Sequence, residues 1–215
     1  KEDSGLSLQK GKSFRALVRN MKTVEDNDFE VPPELDGILR GYQKQGFLWI
    51  KTLKANGFGG ILADDMGLGK TLQVIAFLLS EWKESGENPG RPWLIVCPAS
   101  LVFNWKSEVE RFAPVLPVYA AAGGAGERKQ LLEQAAREKK GVIITSYELL
   151  RRDIDIYTGM DFACEVIDEA QFIKNHSTQA ARAVKQVPAG FRLALTGTPV
   201  ENRLSELWSI FDYLM

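Results

Sequence analysis

From residue 34 onward, short apolar β-rich runs alternate with segments of helical length, and this alternation limits the possible folds more than any other feature. The runs fall at 60–63, 93–97, 115–119, 142–145, 163–168 and 192–196. Helical spacing is found between them at 70–83, 101–112, 127–139, 147–152 and 178–186, with a further helix over 38–55 and one from Leu204 onward. Strands covered on both faces read as continuous apolar runs, and successive parallel strands need a helical crossover. The pattern therefore predicts an α/β fold with a central, mostly parallel sheet and helices on both faces. Ligands in such sheets bind outside the carboxyl ends of the strands.

Composition excludes several function classes. Among 215 residues, 27 Lys and Arg face 28 Asp and Glu, which rules out a histone-like polycation but leaves room for a local basic groove. Cys97, Cys164 and the single His176 have no metal-ligand spacing, so neither a zinc site nor a disulfide framework is expected, and a reducing compartment fits best. No uncharged apolar stretch reaches the roughly 18 residues that span a bilayer. The chain opens at Lys1 rather than Met and stops at Met215 within an expected helix, as a piece of a longer protein would.

The chain divides into 1–33 and 34–215. Phe14, Leu17, Val18 and Met21 form an i, i+3, i+4, i+7 stripe behind Ser13, an N-cap residue type, and predict an amphipathic helix over 13–23. A helix docked on the main unit is preferred to one belonging to a preceding domain. The acidic stretch 25–30 and the Pro32-Pro33 pair read as a linker.

The first strand runs into Asp64-Asp65-Met66-Gly67-Leu68-Gly69-Lys70-Thr71 and then directly into a helix. Glycines let the backbone curl so that its N–H groups converge on a phosphate, and the helix N-terminus adds partial positive charge. Lys70 can reach the β- and γ-phosphates, and the Thr71 hydroxyl can ligate Mg²⁺. The usual phosphate-loop pattern has a glycine where Asp64 stands. An ordinary glycine turn followed by a chance Lys-Thr is the weaker reading in this context.

The fifth strand ends in Asp168-Glu169-Ala170-Gln171, placing two carboxylates at the same sheet edge. Asp168 can hold Mg²⁺ through water, and Glu169 can polarise an attacking water. The last strand ends in Leu195-Thr196-Gly197-Thr198-Pro199, whose hydroxyls could bond Glu169 or Gln171. Alone, either acidic pair or turn would be unremarkable; together with the loop at 67–71 they read as a nucleotide site.

These motifs resemble the first RecA-like lobe of the Swi/Snf family of helicase-like ATPases, in helicase superfamily two. Leu39-Arg40-Gly41-Tyr42-Gln43 matches the family's opening motif, and Ile61 to Thr71 matches its form of the phosphate loop, in which Asp64 is typical. Further matches are Val96-Cys97-Pro98-Ala99-Ser100-Leu101 with Asn104-Trp105, Ile144-Thr145-Ser146-Tyr147-Glu148-Leu149, Ile173-Lys174-Asn175, and Thr196 to Asn202 with Leu207-Trp208. The resemblance implies a P-loop fold over about residues 29–215 and an ATP site of Arg40, Gln43, Asp65, Met66, Gly67, Leu68, Gly69, Lys70, Thr71 and Leu72. In that site Gln43 would read the adenine edge. Gln171, where many relatives carry histidine, would couple the acidic motif to Thr196, Gly197 and Thr198.

The resemblance also implies ATP-driven translocation along double-stranded DNA without strand separation, and remodelling or displacement of DNA-bound proteins. Candidate DNA contacts are Pro98, Ser100, Asn104, Thr145, Ser146, Tyr147, Lys174 and Asn202, in loops after the strands. For Ser100 and Ser146 a plain N-cap is the competing reading. Trp105 and Trp208 are read as core residues, whereas Tyr147 stands between core and stacking roles. Arginine fingers would come from a second RecA-like lobe, since Arg192 and Arg203 match no finger motif. The chain alone should then bind ATP and hydrolyse it poorly. The implied location is the nucleoid in a prokaryote or the nucleus in a eukaryote. A strand-separating helicase, a restriction-type motor, a non-hydrolysing nucleotide switch and a small-molecule kinase remain as alternatives.

Overall fold

The computed structural model describes residues 23–63, 67–197 and 204–215. The helix expected over 13–23 therefore lies, apart from Thr23, outside the described residues. Strands β1 Gly60–Leu62, β2 Trp93–Cys97, β3 Val118–Ala120, β4 Val142–Ser146, β5 Cys164–Ile167 and β6 Arg192–Leu195 form one sheet in the order β1-β6-β5-β2-β4-β3. Among the described residues every ladder is parallel, with β1 paired to β6 alone. The predicted architecture is thus observed, with the sheet wholly parallel.

Residue alternation within each strand divides the core into two layers. Trp93, Ile95 and Cys97 of β2 face helices α2 Gly41–Ala55, α3 Lys70–Glu84 and α4 Val102–Phe112. Leu94 and Val96 face the opposite layer, built from α5 Ala125–Glu138, α6 Tyr147–Arg152, α7 Ile154–Thr158, α8 Gln179–Gln186 and α9 Leu204–Leu214. All of β2 is buried, which is why its sequence shows an apolar run and no polar alternation. In the first layer, buried Lys51 on α2 bonds Glu81 at 2.7 Å and Glu84 at 2.6 Å on α3, fixing the two helices side by side.

Three local expectations shift. The third strand begins at Val118 rather than Val115, because Leu116 N–H turns back to the Ala113 carbonyl and Val115 is exposed. Pro117 then supplies only its carbonyl, which accepts from Val142 N–H at 2.8 Å. The Pro32-Pro33 pair opens a short helix, α1 Pro33–Asp36, with Pro33 at its first position and Leu35 buried. Val31 packs on the first layer and the Phe29 ring lies under Lys51, so this stretch follows the core surface.

Trp208, expected in the core, is 66% exposed, and Phe211 beside it is 44% exposed. The inward face of α9 is instead Ser209, Ile210 and Tyr213, with Ser209 Oγ donating to the Ile173 carbonyl and Tyr213 OH to the Glu165 carbonyl. Both stripes fit a helical period; the two inward hydroxyl bonds go with one of them.

Candidate active site

The order β1-β6-β5 brings the three predicted loops together. The first motif stands about a hundred residues before the other two in sequence, yet all three leave adjacent parallel strands at the same edge. Thr196 N–H donates to the Leu62 carbonyl at 3.1 Å, tying the exit of β6 to the exit of β1.

The phosphate loop turns at Gly67, φ 82°, and Gly69, φ 74°, both in the left-handed region that favours glycine. Lys70 opens α3, so the first N–H groups of that helix point into the loop without intrahelical acceptors. Lys70, Thr71 and Leu72 are half-buried there. The loop is supported from α2: Tyr42 OH and Gln43 Nε2 both donate to the Leu68 carbonyl, at 3.2 and 3.1 Å. Gln43 Oε1 accepts the Arg40 N–H at 2.9 Å, capping α2. A Cβ on Gly69 would stand 2.3 Å from Gln43 Nε2, a cradle that only glycine leaves open. The amide expected to read adenine thus already braces the loop. Asp65 and Met66 lie outside the described residues.

Asp168, 8% exposed, is held on all sides. Trp105 Nε1 donates to its Oδ2 at 2.9 Å and Glu169 N–H to its Oδ1 at 2.8 Å. Its own N–H donates to the Val96 carbonyl at 2.8 Å, and its carbonyl accepts from Tyr147 OH at 2.6 Å. Burial pushes this carboxyl above its ordinary value, while the bonds from Trp105 and Glu169 and the positive charge of Lys70 pull it back. Lys70 and Asp168 therefore sense each other across the loops. The neighbouring Cys97 thiol is pushed up to about 12, mainly by burial and then by the Asp168 charge, so it is inert.

Glu169 sits in the left-handed region at φ 51° and ψ 56°, a strained conformation for a residue with a side chain, which typically costs about 1–3 kcal/mol. Its carboxylate Oε2 accepts from Gln171 Nε2 at 2.5 Å. Gln171 Oε1 in turn accepts from Thr196 Oγ1 at 3.3 Å. One amide therefore bridges the acidic motif and the buried end of β6. Gly197 follows at the rim; Thr198 lies outside the described residues.

The residues are chemically suited to ATP and Mg²⁺. The loop N–H groups and the Lys70 ammonium could take phosphates, while the Thr71 hydroxyl and Asp168 are hard oxygen donors of the kind Mg²⁺ prefers in small number beside phosphates and water. No group of three or more His, Cys, Asp or Glu side chains forms a metal cage among the described residues.

The DNA-contact candidates separate into two sets. Pro98 is half-buried, while Ser100, Asn104 and Lys174 are exposed beyond the carboxyl ends of β2 and β5. Ser100 caps nothing: it lies in the turn Ala99–Leu101, whose N-cap is Pro98. Ser146 does cap α6, accepting from Leu149 N–H at 3.2 Å, and is buried. Thr145 and Tyr147 are buried as well. Thr145 is fully buried with its hydroxyl on the Ala121 carbonyl, and Tyr147 is 5% exposed with its hydroxyl on Asp168. Phe172, which the sequence did not single out, is 52% exposed and stacks on Tyr147 at 5.3 Å. It borders a cavity of about 340 Å³ with Pro98, Ser146 and Arg151. Asn202 lies outside the described residues.

Residues 42–215 match the profile of the SNF2-related domain. A Mycoplasma pneumoniae protein described as an uncharacterized ATP-dependent helicase is 47% identical over 203 residues, covering 92% of this chain and 19% of its own length. Bacillus subtilis YwqA, a putative ATP-dependent helicase/translocase, is 42% identical over 212 residues, covering 98% and 23%. The TATA-binding protein-associated factor MOT1 of Saccharomyces cerevisiae is 40% identical over 196 residues, covering 87% and 10%. Among solved structures, the Sulfolobus solfataricus SWI2/SNF2 ATPase core in complex with double-stranded DNA superposes with a TM-score of 0.72 at 40% identity, covering 86% of this chain and 38% of that one. The chain spans between 10% and 23% of the length of these sequence relatives.

Proposed function

The chain belongs to the SNF2-related domain family, and from that membership we propose that it is the first ATP-binding lobe of a motor that hydrolyses ATP to move along double-stranded DNA and remodel or displace DNA-bound protein. The observation that carries the reading is the convergence of Gly69-Lys70, Asp168-Glu169, Gln171 and Thr196 at the ends of three adjacent parallel strands.

The loop N–H groups and Lys70 bind the phosphates, and Thr71 and Asp168 would hold Mg²⁺. The bound cation supplies charge neutralisation on the phosphate oxygens. Glu169 takes a proton from the attacking water as its oxygen bonds to the γ-phosphorus and the bond to the ADP oxygen breaks. Gln171 can sense that event at Glu169 and pass it to Thr196, so the state of the nucleotide reaches β6.

Arginine from a second lobe completes the transition state, and its loss typically costs about 10³- to 10⁵-fold in rate. The MOT1 and DNA-bound SWI2/SNF2 relatives support DNA and protein–DNA complexes as partners. No helix among the described residues is long and apolar enough to cross a membrane; the proposed location is the nucleoid in a prokaryote or the nucleus in a eukaryote. The test compares this chain with one extended through the second lobe. Mg²⁺-dependent ATP binding is expected in both, with DNA-stimulated hydrolysis only in the longer chain. No ATP binding would overturn the site, and robust DNA-stimulated turnover by the short chain would overturn the division of labour.

A further inference from the structure

We infer that Trp105 is a positioning residue of the nucleotide site, which sets the orientation of the Asp168 carboxylate through its indole N–H. The inference rests on the proposed ATP reading and extends it to a residue 63 positions earlier in the chain, on a different element.

An indole offers one donor and no acceptor, so when buried it seeks a single fixed acceptor. Trp105 is 2% exposed within the layer that holds Val102, Val109 and Cys97, and its N–H points at Asp168 Oδ2 at 2.9 Å. The terminal torsion of an aspartate has broad, shallow preferences, so backbone placement alone does not orient its oxygens. Here the main chain of Asp168 is fixed by Val96 and Tyr147, and Oδ1 by the neighbouring Glu169 N–H. Trp105 supplies the bond to the other oxygen, and it does so from α4. With one donor on each oxygen, the carboxylate plane is set and the remaining lone pairs keep one direction. A hydrogen bond to a charged partner is stronger than a neutral one, and its loss from a buried site is felt in full. Trp105 touches no substrate atom in this scheme; it acts through Asp168.

The position of Trp105 also has a mechanical side. Its chain neighbour Asn104 is exposed on the outer face of α4. A shift of α4 caused by a ligand on that face would change the same indole–carboxylate bond.

The test uses the whole chain and reads binding, not turnover. Trp105→Phe keeps an aromatic ring and removes the donor. A site-specific benzothienylalanine at 105, isosteric with tryptophan but lacking the N–H, separates packing from hydrogen bonding if Trp105→Phe folds poorly. Fluorescent ADP is titrated at rising Mg²⁺ for wild type, each variant, and each variant combined with Asp168→Asn. The Mg²⁺ concentration for half-maximal effect is expected to rise by about tenfold in both variants, with little change in metal-free nucleotide binding. In the Asp168→Asn background neither variant should add a further shift, the signature of two residues acting through one contact. An unchanged Mg²⁺ requirement with benzothienylalanine would overturn the assignment, as would an equal shift in the Asp168→Asn background. Wild-type chain that binds no nucleotide at all would instead overturn the ATP reading itself. In ligand-free protein, the Trp105 indole proton should be protected from exchange and lose that protection in Asp168→Ala.

Discussion

At the scale of single residues, the proposed chemistry divides between groups that hold nucleotide and groups that act on it. Glu169→Gln preserves side-chain size and removes the proton acceptor. In a chain carrying both lobes it is expected to leave ATP binding within about twofold while lowering turnover by about 10²- to 10⁴-fold. Lys70→Ala should weaken both binding and turnover, since its charge stands at the phosphate loop and reaches as far as Asp168. Paired nucleotide titrations and steady-state rates check the contrast; normal turnover in Glu169→Gln would remove it from the role of base. Lys70, Thr71, Asp168 and Glu169 could be read from sequence because each sits in a short contiguous motif at a strand end. Trp105 and Tyr147 could not. Their polar tips meet Asp168 only across 63 and 21 residues of intervening chain, and a buried aromatic at helical spacing looks the same whether or not its N–H or O–H has a partner.

At the scale of elements, the phosphate loop offers a controlled pair of substitutions. Gly67 and Gly69 share a left-handed φ, so alanine at either costs about 1–2 kcal/mol from the backbone alone. A Cβ at 67 meets open space, whereas one at 69 collides with Gln43 Nε2. Gly69→Ala should therefore lower stability and ATP affinity more than Gly67→Ala, because Gln43 must release the Leu68 carbonyl. Denaturant midpoints and ATP titrations on the two variants measure the difference; equal effects would show that the brace from α2 contributes nothing. Five of the six strands appeared where apolar runs predicted them, since burial on both faces leaves a strong signal. The third starts later because the chain is still turning at Leu116, whose N–H bonds the Ala113 carbonyl and leaves Val115 exposed. The face of α9 was misassigned because two stripes on it share the helical period, and only Ser209 and Tyr213 finding carbonyl partners distinguishes them.

At the scale of the whole molecule, stability should carry a pH signature from Glu165. It is fully buried on β5, with neither carboxylate oxygen hydrogen-bonded among the described residues and Arg192 Nε 3.6 Å away. Burial pushes this carboxyl well above its ordinary value of 4.5, against the pull of Arg192 and Tyr213. The folded chain thus holds a proton that the unfolded chain releases, so stability falls as pH rises above 4.5 toward the raised folded value. Glu165→Gln removes that dependence. Its melting temperature should equal wild type below about pH 4 and exceed it increasingly toward neutrality. A Glu165→Gln chain less stable than wild type at pH 7 would show the pair with Arg192 to be ionised and favourable.

The strand order was hidden from the sequence, and it has a consequence for timing. Among the described strands β1 emerges first from the ribosome and β6 last, yet β1 pairs with β6 and with no other of them. A ribosome-bound chain that has not yet delivered residue 195 can zip β2, β4 and β5 together, while its first strand waits without a ladder. The segment proposed to grip phosphate is therefore translated early and seated late. Nascent chains released before β6 should fail to retain nucleotide even though every residue of the phosphate loop is already present.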